Sequence, residues 1–365
     1  MNERERVLTL LSGGKPDQVP WLGDLSYWLP SALKQGKLDS KYAGDGIFQL
    51  HRDLGVGFYL QGYFPFRPVM EGVESRRSDS GGEHLEELIT PVGTLREVSR
   101  YLPTSYTSAI CEHLIKTPED LKIFMYVCEH TRYEPDYDIA AYRVSAVGDN
   151  GVVLCYQPRS PLMELIAARA GIMTVVELMG EAPELLDELI ELMVEKYDQA
   201  SQLTLESPAE CIMLPENISS EVVGKRFFEK YMRAIHEKWY GRIAAAGKTS
   251  FVHLDGTMRG LIGELSAAGA RVIEALTTGP VGDIEIEDLH NCVGDQTIMW
   301  GGLPGIYLTD LISDAEFDAY VVRVLETMRK TPRYVLGVAD QVPPGCRPER
   351  VARVRTLVDA HGKYQ

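Results

Sequence analysis

Eight short apolar runs, each soon followed by Gly, Pro, Asn or Asp, constrain the fold of this chain more than any other feature. They lie at Val19–Asp24, Val56–Gln61, Val152–Tyr156, Cys211–Leu214, Ser250–His253, Val272–Ala275, Thr297–Trp300 and Tyr334–Val338. Each is four to six residues long and rich in Val, Ile, Tyr or Phe, the composition of strands. Amphipathic stretches separate most of them. Glu184–Thr204 carries Leu185, Leu186, Leu189, Ile190 and Met193 on one stripe. Ser219 or Ser220 is placed to cap a helix running through Phe227, Tyr231, Ile235 and Trp239 to Ala246, where Gly247 ends it. Thr117-Pro118-Glu119 reads as another helix start. Strands alternating with helices in this number predict an α/β fold, a closed (β/α)8 TIM barrel. Arg67–Tyr106 is the exception. Its Thr, Val and Glu alternate around Gly81-Gly82 and Pro91-Val92-Gly93, which predicts antiparallel hairpins inserted after the second strand of a single domain spanning 1–365.

A chain that is 45% hydrophobic has ample material for a large core, which excludes disorder. Its formal charge of −16 excludes the positive footprint that nucleic acid or an anionic membrane requires. The six cysteines form no CxxC pair, and the opening MNERERVLTLL reads as a short amphipathic helix rather than a leader. No apolar run reaches the roughly 18 residues of a membrane span. A cytoplasmic protein with free thiols is the expectation.

In a parallel barrel, chemistry sits at the carboxyl ends of the strands. Asp24, Tyr27 and Trp28 follow the first strand, Tyr63 the second, and Tyr156, Gln157 and Arg159 the third. Glu216 and Asn217 follow the fourth, His253 and Asp255 the fifth, and Trp300 and Asp340 the last two; Glu274 lies near the end of the sixth, with Asp283 beyond. Carboxylates converging on one mouth repel one another unless a cation, a protonated acid or an arginine offsets them. His253-Leu254-Asp255 sets two potential ligands on one side of an extended segment. Arg159 suits a substrate carboxylate or, equally, a surface salt bridge. Strand-end acids also serve as turn formers, and Tyr27, Trp28 and Trp300 can equally cap the core. There is no GxGxxG after a strand, no P-loop and no GxSxG elbow.

Several segments resemble the uroporphyrinogen decarboxylase superfamily. They are Arg4-Glu5-Arg6-Val7-Leu8 through Lys15-Pro16-Asp17-Gln18-Val19-Pro20-Trp21, His253-Leu254-Asp255-Gly256, Pro280-Val281-Gly282-Asp283, Trp300-Gly301-Gly302-Leu303-Pro304-Gly305 and Val342-Pro343-Pro344-Gly345. They run in order over almost the whole chain, and the resemblance implies a (β/α)8 barrel. True uroporphyrinogen decarboxylases carry a Met-Arg-Gln-Ala-Gly-Arg stretch where this chain has Gly23-Asp24-Leu25-Ser26-Tyr27-Trp28, so that tetra-acid is not the expected substrate. Thiol methyltransferases of the superfamily hold zinc through His-x-Cys and a distant Cys. Here those positions read His253-Leu254-Asp255 and Asp340.

A His/carboxylate set suits an oxygen better than a thiol. The chain therefore resembles the corrinoid-dependent O-demethylase methyltransferases, which move a methyl group from a methoxylated aromatic to the Co(I) of a separate corrinoid (cobalamin) protein. That resemblance implies catalytic roles among Glu216, His253, Asp255 and Asp340, with His253, Asp255 and Asp340 as zinc ligands if zinc polarises the ether oxygen. Asp24, Tyr27, Trp28, Tyr63, Tyr156, Arg159, Asn217 and Trp300 would contact substrate. A decarboxylase or lyase of a small aromatic or pyrrolic acid, and a methyl transferase to a thiol, are the competing readings. A homodimer is the ordinary oligomeric expectation.

Overall fold

The computed structural model describes residues 1–59 and 62–364; Leu60 and Gln61, the end of the second expected strand, lie outside the described residues. Two compact units form, one from residues 1–63, 137–156 and 207–365, the other from residues 64–136 and 157–206.

The first unit is built on parallel strands. Leu154–Tyr156, Cys211–Ile218, Thr249–Leu254, Val272–Leu276, Ile298–Pro304 and Tyr334–Ala339 pair successively in chain order. Two shorter segments fill the remaining gap. Trp21 pairs with Leu336, Leu22 with Gly57 and Phe58 with Gly151, all in parallel. Leu336 N donates to Pro20 O at 2.9 Å, Gly57 N to Trp21 O at 2.9 Å and Val152 N to Phe58 O at 3.0 Å, so the ring of backbone bonds closes. The expected eight-membered parallel barrel is present, and closure leaves no sheet edge to solvent. Its interior is one apolar cluster, to which the helix Glu3–Leu11 adds Val7, Leu10 and Leu11. Leu11 O accepts from Arg271 Nη2 at 2.9 Å, just before the sixth strand. This helix therefore plugs the amino-terminal end of the barrel.

The helix expected to start at Ser219 or Ser220 instead starts at Lys225. It runs through a π-turn at Phe228–Met232 into Arg233–Ala245, and Gly247 turns the chain away at φ +70°. Ser220 is held otherwise: its N donates to Thr257 O at 2.9 Å and its Oγ to Thr257 Oγ1 at 2.9 Å. That tie keeps residues 219–224 as a loop.

The second unit contains the expected hairpins. Glu74–Ser80, Glu83–Thr90, Gly93–Leu102 and Thr107–Glu112 form an antiparallel meander. Gly81 and Gly82 both have positive φ, as a two-residue hairpin turn requires. The strand Phe66–Met70 does not join the meander and pairs instead with Thr131–Pro135, across the helix Pro118–Glu129, which starts at Thr117 as expected, with a capping box between Thr117 and Asp120. Pro183–Glu206 is the long amphipathic helix. All six cysteines are free thiols. No helix among the described residues is long and apolar enough to cross a membrane.

Closure depends on a position without a side chain. A Cβ on Gly151 would fall inside the backbone of Phe58, its partner in the ring. Gly151→Ala is expected to destabilise the protein by about 1–3 kcal/mol, the usual cost of overpacking. Urea denaturation checks this, and a change within about 0.5 kcal/mol, as for an ordinary surface substitution, would contradict it.

Candidate active site

Strand alternation decides which side chains meet inside the barrel. Phe251 and Val272 belong to the interior cluster, so His253 and Glu274, two residues on, face the same interior. The register then sets them side by side, since Glu274 and His253 are Cα partners on adjacent strands. His253 Nδ1 lies 2.6 Å from Glu274 Oε2, and Glu274 Oε1 accepts from Tyr59 Oη at 2.8 Å. Glu274 and Tyr59 are fully buried, and His253 is 4% exposed. On the other edge of the imidazole, Nε2 lies 3.6 Å from Asp340 Oδ1, which is ion-pair contact rather than a hydrogen bond. The Asp340 side chain is 51% exposed and forms the open side of the cluster.

Asp24 stands behind. It is buried, with Oδ1 accepting from Ser26 N at 2.8 Å and Oδ2 from Gln341 Nε2 at 3.0 Å, and so fixes the residue after Asp340. Asp340 itself is at φ +69°, Ala275 at +64° and Asn217 at +50°. These are strand-end positions on the eighth, sixth and fourth strands, in a region that costs a non-glycine residue about 1–3 kcal/mol and recurs at functional sites.

Burial pulls the His253 pKa down, but the charge and hydrogen bond of Glu274, helped by Asp340 and Asp255, outweigh it and raise it to about 9. The ring is a cation at neutral pH. Burial raises Asp340 to about 6 against the opposing pull of His253, and the charges of Glu274, Asp255 and Asp24 add to the rise. Burial also raises Asp24, although Ser26 and Gln341 oppose it. The barrel thus answers its crowded carboxylates with one imidazolium and two carboxyls that resist ionisation.

Two of the four expected catalytic residues meet here, His253 and Asp340. Asp255 is exposed and interacts with both through its charge. Glu216 does not join them. Glu216 lies past Leu214, where the strand breaks register, and its Oε1 contacts His236 Nε2 at 3.0 Å on the helix Arg233–Ala245; His236 Nδ1 in turn meets Tyr240 Oη at 3.1 Å. Among the substrate-contact expectations, Trp28 and Trp300 are fully buried and serve packing; Trp300 sits between Tyr59 and Phe251 with ring centroids 4.7 and 5.3 Å away. Asp24 is buried as well, held by Ser26 and Gln341. Tyr27 and Tyr156 are half-buried, Tyr63 is nearly covered, and Asn217 is exposed. Arg159 belongs to the second unit, 3.4 Å from Glu164. The expected zinc set does not gather: among the described residues no three His, Cys, Asp or Glu side chains group to hold a metal.

Sequence reasoning missed Tyr59 and Arg143. Arg143 lies on the helix Asp138–Val147, its guanidinium 5.4 Å from the Tyr63 ring centre and its Nη1 buried without a partner among the described residues. Burial lowers its pKa, while charge coupling to Cys155, Tyr63, Asp24 and Tyr156 opposes that shift. It is the only basic residue of that helix, which was its one signal in the sequence.

A closed parallel barrel with an acid–base cluster at the carboxyl ends of its strands has the architecture of a (β/α)8 enzyme. Residues 152–361 match the uroporphyrinogen decarboxylase (URO-D) family, and the chain belongs to that family. Among solved structures, a methyltransferase from Methanosarcina mazei has the same fold over 99% of each chain, with a TM-score of 0.63 at 12% identity. Among curated proteins, none matches the chain in sequence.

The folded protein holds the His253 proton more tightly than an unfolded chain, whose histidine titrates near 6.5. The pair's contribution is therefore full below pH 6.5 and is lost as pH rises through about 9. Glu274→Gln should cost about 3–5 kcal/mol at pH 7, as breaking a buried pair does, and should flatten the parent's decline over that window. Denaturation across pH checks both. A variant with the parent's slope would contradict the pairing.

Proposed function

We propose that the chain is a methyltransferase that takes the methyl group from a methoxylated aromatic and delivers it to the Co(I) corrinoid of a partner protein. The observation that carries this is the meeting of His253 Nε2 with Asp340, 3.6 Å away, a carboxylate standing at one of the superfamily's two sulfur positions. Family membership and the methyltransferase fold support it. The corrinoid supplies the nucleophile, and the rest falls to this chain. The reaction breaks the methyl–oxygen bond: the bonding pair stays on the aryl oxygen, which takes a proton to become a phenol, and the methyl carbon would be bonded through the electron pair that Co(I) donates.

An aryl ether leaves poorly as a free phenolate, so the protein's task is to deliver a proton to the departing oxygen. His253 Nε2–H is the donor. Glu274 and Tyr59 fix the ring so that this edge faces outward. Asp340, half open to solvent, returns the proton to the imidazole between turnovers. No three-residue metal cluster forms among the described residues, and no step here is routed through zinc.

A second reading is favoured by the buried Nη1 of Arg143, which has no partner among the described residues: decarboxylation of a small aromatic acid, with the carboxylate held there and His253 protonating the carbon left behind. Carbon dioxide release with no corrinoid present identifies it.

Incubation of the protein with methoxybenzoates and Co(I) cobalamin should release phenol. His253→Gln should slow it by about 10²- to 10⁴-fold, the usual contribution of a general acid, and Asp340→Asn should slow it by less. A folded His253→Gln protein releasing phenol at the parent rate would overturn the assignment. So would stoichiometric zinc in protein purified without chelator.

A further inference from the structure

The second unit forms a half-open cavity of its own, about 320 Å³ in volume. Its walls are aromatic. Phe66 and Tyr133 meet edge to face with ring centroids 5.5 Å apart, and Tyr197 lines another side. Its polar end is formed by Arg159, Glu164 and Arg169. Glu164 is buried, and its Oε1 accepts from Arg169 Nε at 2.8 Å. Arg159 is engaged only loosely: Nη1 lies 3.4 Å from Glu164 Oε2, and its Nε is buried without a partner among the described residues. At the lining itself two guanidiniums meet one carboxylate beside the aromatic walls, while Glu97 opposes Arg169 from outside the lining.

Burial raises the Glu164 pKa, but Arg169 and Arg159 outweigh it and hold the carboxyl below its ordinary range, so Glu164 stays ionised. Burial raises the Tyr133 and Tyr197 hydroxyls, which remain neutral. Glu97 interacts with Arg169 through charge but does not line the cavity.

We propose that this cavity binds a small aromatic carboxylate, its ring against Phe66, Tyr133 and Tyr197 and its carboxylate on Arg159 and Arg169. The planar fork of arginine matches a carboxylate, and Arg159 lines the cavity with an Nε that has no partner among the described residues. The volume lies at the small end of ligand sites, which run from about 300 to 1,000 Å³. A bare inorganic anion would satisfy the charge and leave the aromatic walls uncovered. The inference goes beyond the methyl-transfer reading and does not require it, because it concerns binding alone.

Isothermal titration of the full chain with benzoate, benzamide and inorganic phosphate tests it. Benzoate should bind saturably at one site, with benzamide and phosphate each at least about tenfold weaker, a difference of about 1.4 kcal/mol. Arg159→Gln should weaken benzoate by about tenfold or more. Arg159→Lys, which keeps the charge beside Glu164 but loses the fork, carries the same test if the first variant does not fold. His253→Gln should leave benzoate affinity in place, so failure of the reaction and failure of this site are told apart. No saturable benzoate binding, equal binding of benzamide or phosphate, or unchanged affinity in both folded Arg159 variants would overturn the proposal.

Discussion

One buried ion pair organises the barrel's interior. Glu274 and His253 are neighbours because two parallel strands run in register, and an acid and an imidazole so placed inside an apolar cluster must either pair or be expelled. Their 2.6 Å contact makes the histidine a cation and fixes which edge of its ring is free. Tyr59 occupies the other oxygen of Glu274, so the carboxylate has little freedom to turn away. Asp340 can then sit close by at a strained backbone angle, because the imidazolium offsets part of its cost.

Much of the fold was legible in the sequence because barrel strands are short apolar runs with marked ends. All eight expected strands correspond to a position in the ring, although the first two form only bridges. The hairpins were legible through Gly81-Gly82, whose positive φ values suit little else. The pairing of Phe66–Met70 with Thr131–Pro135 was not, because nothing local to either segment announces a partner some sixty residues away. Ser219 and Ser220 looked like helix caps, but a contact with Thr257, distant in sequence, claimed Ser220.

The site was legible only in part, for reasons of face rather than position. Cys211–Leu214 is apolar on both faces, so its alternation cannot be seen, and the strand breaks register between Leu214 and Ile218. Glu216 therefore looked equivalent to His253 and is not. Trp300 stands at a strand end like a ligand-facing aromatic, yet Tyr59 and Phe251 enclose it. Arg143 escaped attention because it lies on a helix, where a lone arginine is usually only solvated. Of the expected catalytic residues, the strand-end rule brings His253 and Asp340 together, 3.6 Å apart.

The central claim is that His253 is a cation held by Glu274 at neutral pH, with its Nε2–H presented to the open side. Nitrogen-15 NMR of histidine-labelled protein at pH 7.5 reads this directly. Both ring nitrogens of His253 should carry protons and show imidazolium shifts, and Glu274→Gln should return the ring to the neutral form. A His253 ring that is neutral in the parent protein at that pH, with one bare nitrogen, would contradict the claim.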